Sequence, residues 1–377
     1  MHAGLTQPHL PRIMRTKKGY AMSTRQATLN DVAREAGVSQ QTVSRVLNSP
    51  DLVSSRTREK VLHAMNVLHY VPNRSAQLLA GKTMPALGLI TSSLTYHAPS
   101  QIAAAIKSHA EEQQLQVSVA MPKGAEYEAL QAVLNEFRAQ NIRGVIANLP
   151  LESTLAEQLA RENDDLACLF LDVPPETDVS CVRFDHQDGS GACVKHLWEL
   201  GHRQFGLLAG PAESISARLR LGCWRETLHR FGVSNAITAW GDWSASSGWA
   251  KTFELIHANP RISAIIVAND QMALGVLSAL AQLKRSGANA VSVTGYDDTA
   301  DSLFFQPALT TVAQDFDLLG KRAVEIVTSL MAQSSSPQKI LKLLPTRLII
   351  RESTYPFPHN ETPTDIVAQL KLLINQL

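Results

Sequence analysis

The segment Ser39-Gln40-Gln41-Thr42-Val43-Ser44-Arg45-Val46-Leu47-Asn48 has the residue types needed to read DNA. Gln can pair with adenine and Arg with guanine at major-groove edges. Thr42 and Ser44 suit phosphates or base edges. Val43, Val46 and Leu47 recur at helical spacing, so they can anchor the segment from behind while Gln40, Gln41, Arg45 and Asn48 stay polar. A solvated surface helix is the plainer alternative. The helix and glycine just upstream favour DNA.

A second set suits a sugar. Asp172, Asn269 and Asp297 each follow a predicted strand, and Ser216 and Arg220 open a predicted helix one turn apart. Carboxylates, Asn and Arg can take vicinal hydroxyls in paired hydrogen bonds, and the Trp243 indole can cover an apolar sugar face. Taken singly, each is more readily structural than functional, since an Asp after a strand often only caps. His97 and Asp301 could form a catalytic pair, but no nucleophile with an ordered base, glycine-rich phosphate loop or metal spacing accompanies them. We therefore expect no enzyme activity, metal or cofactor.

These residues need elements to hold them. Leu29, Val32, Ala33 and Ala36 fall at helical spacing with Asp31 in the first turn, and Gly37 stops that helix. Ser39 caps a second helix, Gln40 to Asn48, and Ser54 a third, Ser55 to His69, with Val61, Leu62, Met65 and Leu68 on one stripe. The tight Ala-Gly-Val-Ser link predicts a helix-turn-helix. Residues 73–83 form a short linker with helical propensity, too short to be helical alone. Beyond it, apolar runs at Leu87–Ile90, Val117–Ala120, Val145–Ala147, Cys168–Leu171, Phe205–Ala209, Ala264–Val267 and Val291–Thr294 alternate with amphipathic helices. That order predicts parallel α/β sheets, and the length predicts two subdomains. Their helices are expected at Ser100–Gln113, Glu126–Gln140, Gln187–Leu200, Ser216–Phe231, Ser247–His257, Gln271–Leu283 and Phe316–Met331.

Composition agrees. With 377 residues, 45% hydrophobic and 18% charged, the chain has ample core for two or three domains. No stretch reads as a membrane span or a signal peptide, so a cytoplasmic protein is expected. Cys168, Cys181, Cys193 and Cys223 lack C-x-x-C spacing and read as buried thiols. Residues 1–83 hold 12 of the 35 Lys+Arg and 4 of the 34 Asp+Glu, while the remainder holds 23 and 30. A basic head on an acidic body suits a polyanion, although several of those cations lie in residues 1–27, which show no apolar periodicity and read as a disordered extension. At the other end, Ile366, Leu370, Leu373 and Leu377 make a short heptad seam.

The run Thr28-Leu-Asn-Asp-Val-Ala-Arg-Glu-Ala-Gly-Val-Ser, then Gln-Thr-Val-Ser-Arg-Val and Tyr70-Val-Pro-Asn-Arg, resembles the head of the lactose-repressor family of bacterial regulators. Further along, Leu169-Phe-Leu-Asp-Val, Ser216-Ala-Arg-Leu-Arg-Leu, Val267-Ala-Asn-Asp-Gln-Met-Ala-Leu-Gly and Gly295-Tyr-Asp-Asp-Thr resemble the core of its lactose-responsive subgroup. The resemblance implies a helix-turn-helix domain over 28–72, a hinge helix over 73–83 and a periplasmic-binding-protein-like core over 84–355. Within the core it implies an N-subdomain (about 84–184 and 316–343) and a C-subdomain (about 185–312 and 344–352), followed by an oligomerisation tail over 356–377. Thr28, Asn73, Gln77 and Leu79 would join the DNA-binding set, with Leu79 as a minor-groove wedge. Ala98, Pro99, Ile102, Phe184 and Phe316 would be apolar walls around a galactoside inducer. His97, Lys107, Leu274, Asp301 and Phe305 would serve the subunit interface and its coupling. The implied protein is a transcriptional repressor, homodimeric and further tetrameric through the leucine tail, that binds double-stranded operator DNA and releases it on binding a galactoside. The alternatives are a repressor of another glycoside operon or a sugar receptor without DNA function. Two departures stand out: Gln40 replaces an aromatic residue and Gly124 replaces a pocket Arg.

Overall fold

The computed structural model describes residues 27–71, 85–285, 290–333 and 339–357. The chain divides into two compact units, Met1–Thr83 and Met84–Leu377.

The first unit holds helices α1 (Leu29–Ala36), α2 (Gln40–Asn48) and α3 (Ser55–Val67). Thr28 and Asp31 cap α1 reciprocally. The Thr28 N–H donates to the Asp31 carboxylate at 2.9 Å, and the Asp31 N–H donates to Thr28 Oγ1 at 3.3 Å. Gly37 follows with φ +65°, a left-handed turn that a side chain would strain. Ser39 then accepts the Thr42 N–H at 3.1 Å and starts α2. Val32, Ala33, Val43, Val46, Val61 and Ala64 form the buried core. Two expectations need correcting. Helix α3 stops at Val67 rather than His69, whose φ is +47°. Leu62 is 47% exposed, because the stripe through Val61, Ala64, Met65 and Leu68 turns it outward.

The second unit opens with β1 (Ala86–Thr91), α4 (His97–Glu112), β2 (Gln116–Ala120), α5 (Tyr127–Ala139), β3 (Gly144–Asn148), α6 (Ser153–Glu162), β4 (Ala167–Phe170) and β5 (Cys181–Phe184). It continues with α7 (His186–Glu199), β6 (Phe205–Ala209), α8 (Ile215–Arg230), β7 (Ile237–Trp240), α9 (Ala245–Ala258), β8 (Ala264–Val267), α10 (Asp270–Gln282), β9 (Ser292–Asp297) and β10 (Thr310–Ala313). Last come α11 (Phe316–Ala332), β11 (Leu341–Leu344) and β12 (Arg347–Ile349).

These strands form two six-stranded sheets, ordered β11-β5-β4-β3-β1-β2 and β12-β10-β9-β8-β6-β7. Strands β3, β6 and β8 are buried throughout, as apolar runs in parallel sheets covered on both faces must be. Strand β12 departs from the expected parallel pattern: it pairs antiparallel with β10. The chain crosses between the sheets after β5, after β10 and after β11. Helix α11 returns to the first sheet, where Leu319, Ala323, Val324 and Val327 share a core with Ile102 and Ile106 of α4. Helices α9 and α10 cross almost backbone to backbone. A Cβ on Gly275 would strike Ala245 O and Trp249 N, and one on Gly248 would strike the Met272 backbone. That crossing brings the residues before each helix together, and Asn269 Nδ2 donates to Trp243 O at 3.0 Å.

Among the described residues, no helix is long and apolar enough to cross a membrane, and no group of three His, Cys, Asp or Glu could hold a metal.

Candidate functional site

Gln40, Gln41, Arg45 and Asn48 lie exposed on α2, while Val43 and Val46 are buried beneath them. Ser39 caps the helix and Thr42 takes its cap bond, with the two hydroxyls 2.9 Å apart. Ser44 accepts a hydrogen bond from Asn48 Nδ2 at 2.9 Å, which ties those side chains along the helix. Thr28 is engaged with Asp31 at the start of α1. The first unit thus offers a rigid polar face with free Gln and Arg heads. Asn73, Gln77 and Leu79, and the seam Ile366, Leu370, Leu373 and Leu377, lie outside the described residues.

In the second unit one cleft of about 290 Å³ lies at the carboxyl ends of the strands of both sheets. It is lined by Ala98, Pro99, Ile102, Asp172, Phe184 and Phe316 from the first subdomain and its crossovers. Ser216, Arg220, Trp243, Asn269 and Asp297 line it from the second. The sugar-suited residues and the apolar walls therefore meet in one place. Gly124 is not among the lining residues; it sits in the loop between β2 and α5, where a Cβ would meet the Glu126 carboxylate.

Arg220 is buried at the centre of this site. Its guanidinium lies 3.8 Å from the Tyr296 ring centroid and 5.8 Å from that of Trp243. Nη1 donates to Ala268 O and Nη2 donates to Gln314 Oε1 at 3.0 Å. Asp297 Oδ1 is 3.7 Å from Nη1, and neither Asp297 Oδ1 nor Arg220 Nε has a hydrogen-bond partner. Such unpartnered buried atoms are costly unless something else satisfies them. Burial pushes Asp297 up to about 8, although Arg220 draws it down and Asp270 adds to the rise. Burial likewise pushes Asp172 up to about 6 against the pull of Arg220, the Ser216 N–H and Arg218. Asn269 is more occupied than its sequence position suggested: it caps α10 through the Met272 N–H at 2.9 Å and holds the Trp243 carbonyl. Trp243 has φ +73° and its ring fills the space beside Gly210. Asp297 is the last residue of β9, which runs three residues beyond the expected end at Thr294.

The residues assigned to an interface separate. His97 lines the cleft and meets the Phe316 ring edge-on at 5.8 Å. Burial lowers its pKa while Asp301 raises it, so these two are electrostatic neighbours. Lys107 is exposed and paired with Glu111, and Leu274 is 42% exposed. Phe305 packs partly into its own subdomain, whereas Phe304 beside it is 78% exposed.

Sequence reasoning missed Ser92, Asn148, Arg183, His186 and Gln314, which also line the cleft. Asn148 ends β3 and was open to the strand-end rule that found Asp172. Arg183 lies within β5, His186 follows it and Gln314 follows β10; polar residues interrupt both strands, so neither reads as an apolar run.

Three comparisons bear on these sites. Residues 28–73 match the profile described as bacterial regulatory proteins, lacI family, and residues 194–354 match a periplasmic binding protein-like domain. The chain is 67% identical to the lactose operon repressor of Klebsiella pneumoniae over 94% of its own length and 100% of that protein. It resembles the crystal structure of a lac repressor dimer bound to operator and the anti-inducer ONPF, with TM-score 0.79, 44% identity and coverage of 88% of this chain and 100% of that one. A lac repressor bound to ONPG in its repressed state gives TM-score 0.80 at the same identity and coverage.

Proposed function

The chain belongs to the lacI family of bacterial regulatory proteins, and we propose that it represses a lactose operon and releases its operator when a galactoside fills the cleft. The observation that carries this reading is the cleft itself, where Asp172, Arg220, Asn269, Asp297 and the Trp243 ring converge between two subdomains. The full-length likeness to a lactose operon repressor supports the same sugar.

Two copies of the α2 face would read a pseudo-palindromic operator, with Gln40, Gln41 and Arg45 toward base edges. Ser39, Thr42, Ser44, Asn48 and Thr28 would serve phosphates and register. The solved relative bound to operator is a dimer. Residues 73–83 would order on DNA, with Leu79 entering the minor groove. The cleft spans both subdomains, so a sugar that binds one of their arrangements better shifts the balance, and operator affinity falls by linkage. Arg220 and Asp297 would exchange their imperfect mutual contacts for sugar hydroxyls. His97 and Asp301, near each other across the two subdomains, sit where such a shift would be felt.

The seam at Ile366, Leu370, Leu373 and Leu377 would join dimers into a tetramer in the cytoplasm. Removing residues 361–377 should leave a dimer that binds a single operator, as sedimentation would show. The central test is operator binding by anisotropy with and without β-galactosides. Release by a galactoside is expected; an operator complex indifferent to every β-galactoside overturns the reading.

A further inference from the structure

Arg183 lines the same cleft and has no part in the galactose-binding set above. It is the next-to-last residue of β5 and is half-buried. Its Nε is shielded from solvent and has no hydrogen-bond partner. Two carboxylates of the cleft are engaged elsewhere, Asp172 with Arg220 and Arg218 and Asp297 with Arg220, and the third, Glu213, is exposed and forms no ion pair with Arg183. His186 has no negative charge to offer Arg183. It is buried, its Nδ1 lies 3.0 Å from the Tyr296 hydroxyl, and Arg220 and Arg183 both oppose its protonation. On its own strand Arg183 meets the Cys181 thiol, a weak acceptor. Arg183 therefore lines the ligand space with no carboxylate among the described residues within ion-pair distance.

We infer that Arg183 forms a second subsite, which takes oxygen acceptors on the aglycone of a bound galactoside, so that the cleft selects a galactosyl disaccharide over an alkyl galactoside. This rests on the galactoside reading. The planar fork of Arg matches two neighbouring hydroxyl oxygens, whereas an alkyl group offers it none and leaves the cation desolvated without return. The cavity of about 290 Å³ lies just below the range of about 300–1,000 Å³ typical of small-molecule pockets.

The test is calorimetry on the full chain with methyl β-galactoside and with β-galactosyl-glucose disaccharides in both common linkages. Wild type is compared with Arg183→Leu and Arg183→Lys. We expect wild type to favour at least one disaccharide, and Arg183→Leu to lose about tenfold or more for it while methyl β-galactoside changes by less than about twofold. Arg183→Lys keeps the charge without the fork and should fall between. Methyl β-galactoside binding also reports that each variant is folded. Equal losses for both kinds of sugar overturn the subsite and leave the galactoside reading standing. Wild type that binds none of these sugars overturns both. Tighter binding of a galactoside phosphate than of the neutral disaccharide overturns the assignment to hydroxyl acceptors.

Discussion

Glu152 and Arg218 join the two subdomains beside the cleft, with Oε1 and Nη2 2.6 Å apart. Glu152 immediately precedes α6 of the first subdomain, and Arg218 lies on α8 of the second. Arg218 also donates to Ala212 O and Glu213 O, which holds its head in place. Both partners are more than a third exposed, so solvent screens much of the attraction. Glu152→Gln should weaken galactoside binding by no more than about fivefold, and less at high salt, because the pair favours the approach of the two subdomains. Sugar titrations at low and high salt would check this; an effect that grows with salt would contradict it.

Arg220→Lys should abolish release from operator while leaving operator binding near normal. An ammonium gathers its donors at one point and lacks the planar fork whose separate nitrogens reach the Ala268 carbonyl and the Gln314 amide oxygen and leave a donor for a sugar hydroxyl. Galactoside affinity should fall by at least about tenfold. Normal release by sugar in this variant would refute the central role of Arg220.

Asp297→Asn should change how stability depends on pH. Unfolded, the Asp297 carboxyl ionises from about pH 4; folded, burial keeps its proton to about 8. The folded state holds the extra proton in that window, so this residue costs stability as pH rises through it. Asn carries no such cost. The melting temperature of the variant relative to wild type should therefore rise between about pH 5 and about pH 8. A constant difference across that range would show that the carboxyl is ionised in the folded protein throughout.

Gln41→Ala and Arg45→Ala should each cost about 1–3 kcal/mol on specific operator and less on random duplex. Both side chains are exposed on α2 above buried Val43 and Val46, so the fold should survive. Equal losses on the two duplexes would mean phosphate contact rather than base readout.

The helix-turn-helix, from α1 to α2, was legible in the sequence, although the end of α3 was not. Its bounds are set by the Thr28–Asp31 box, the φ of Gly37 and the Ser39 cap, all decided within a few consecutive residues. The residues Asp172, Asn269 and Asp297 were likewise marked by the apolar runs before them. What the tertiary structure alone decided is which strand ends share one cleft. Strand β5 finds its neighbour in β11, with Cys181 paired to Leu341, and α11 returns to pack on α4. Those pairings are fixed by burial between segments far apart in the chain, and β5 and β10, broken by Arg183 and by Thr310 and Thr311, carry too little apolar pattern to announce them. Arg183, His186 and Gln314 reached the cleft by that route, so only packing could place them beside Arg220 and Asp297.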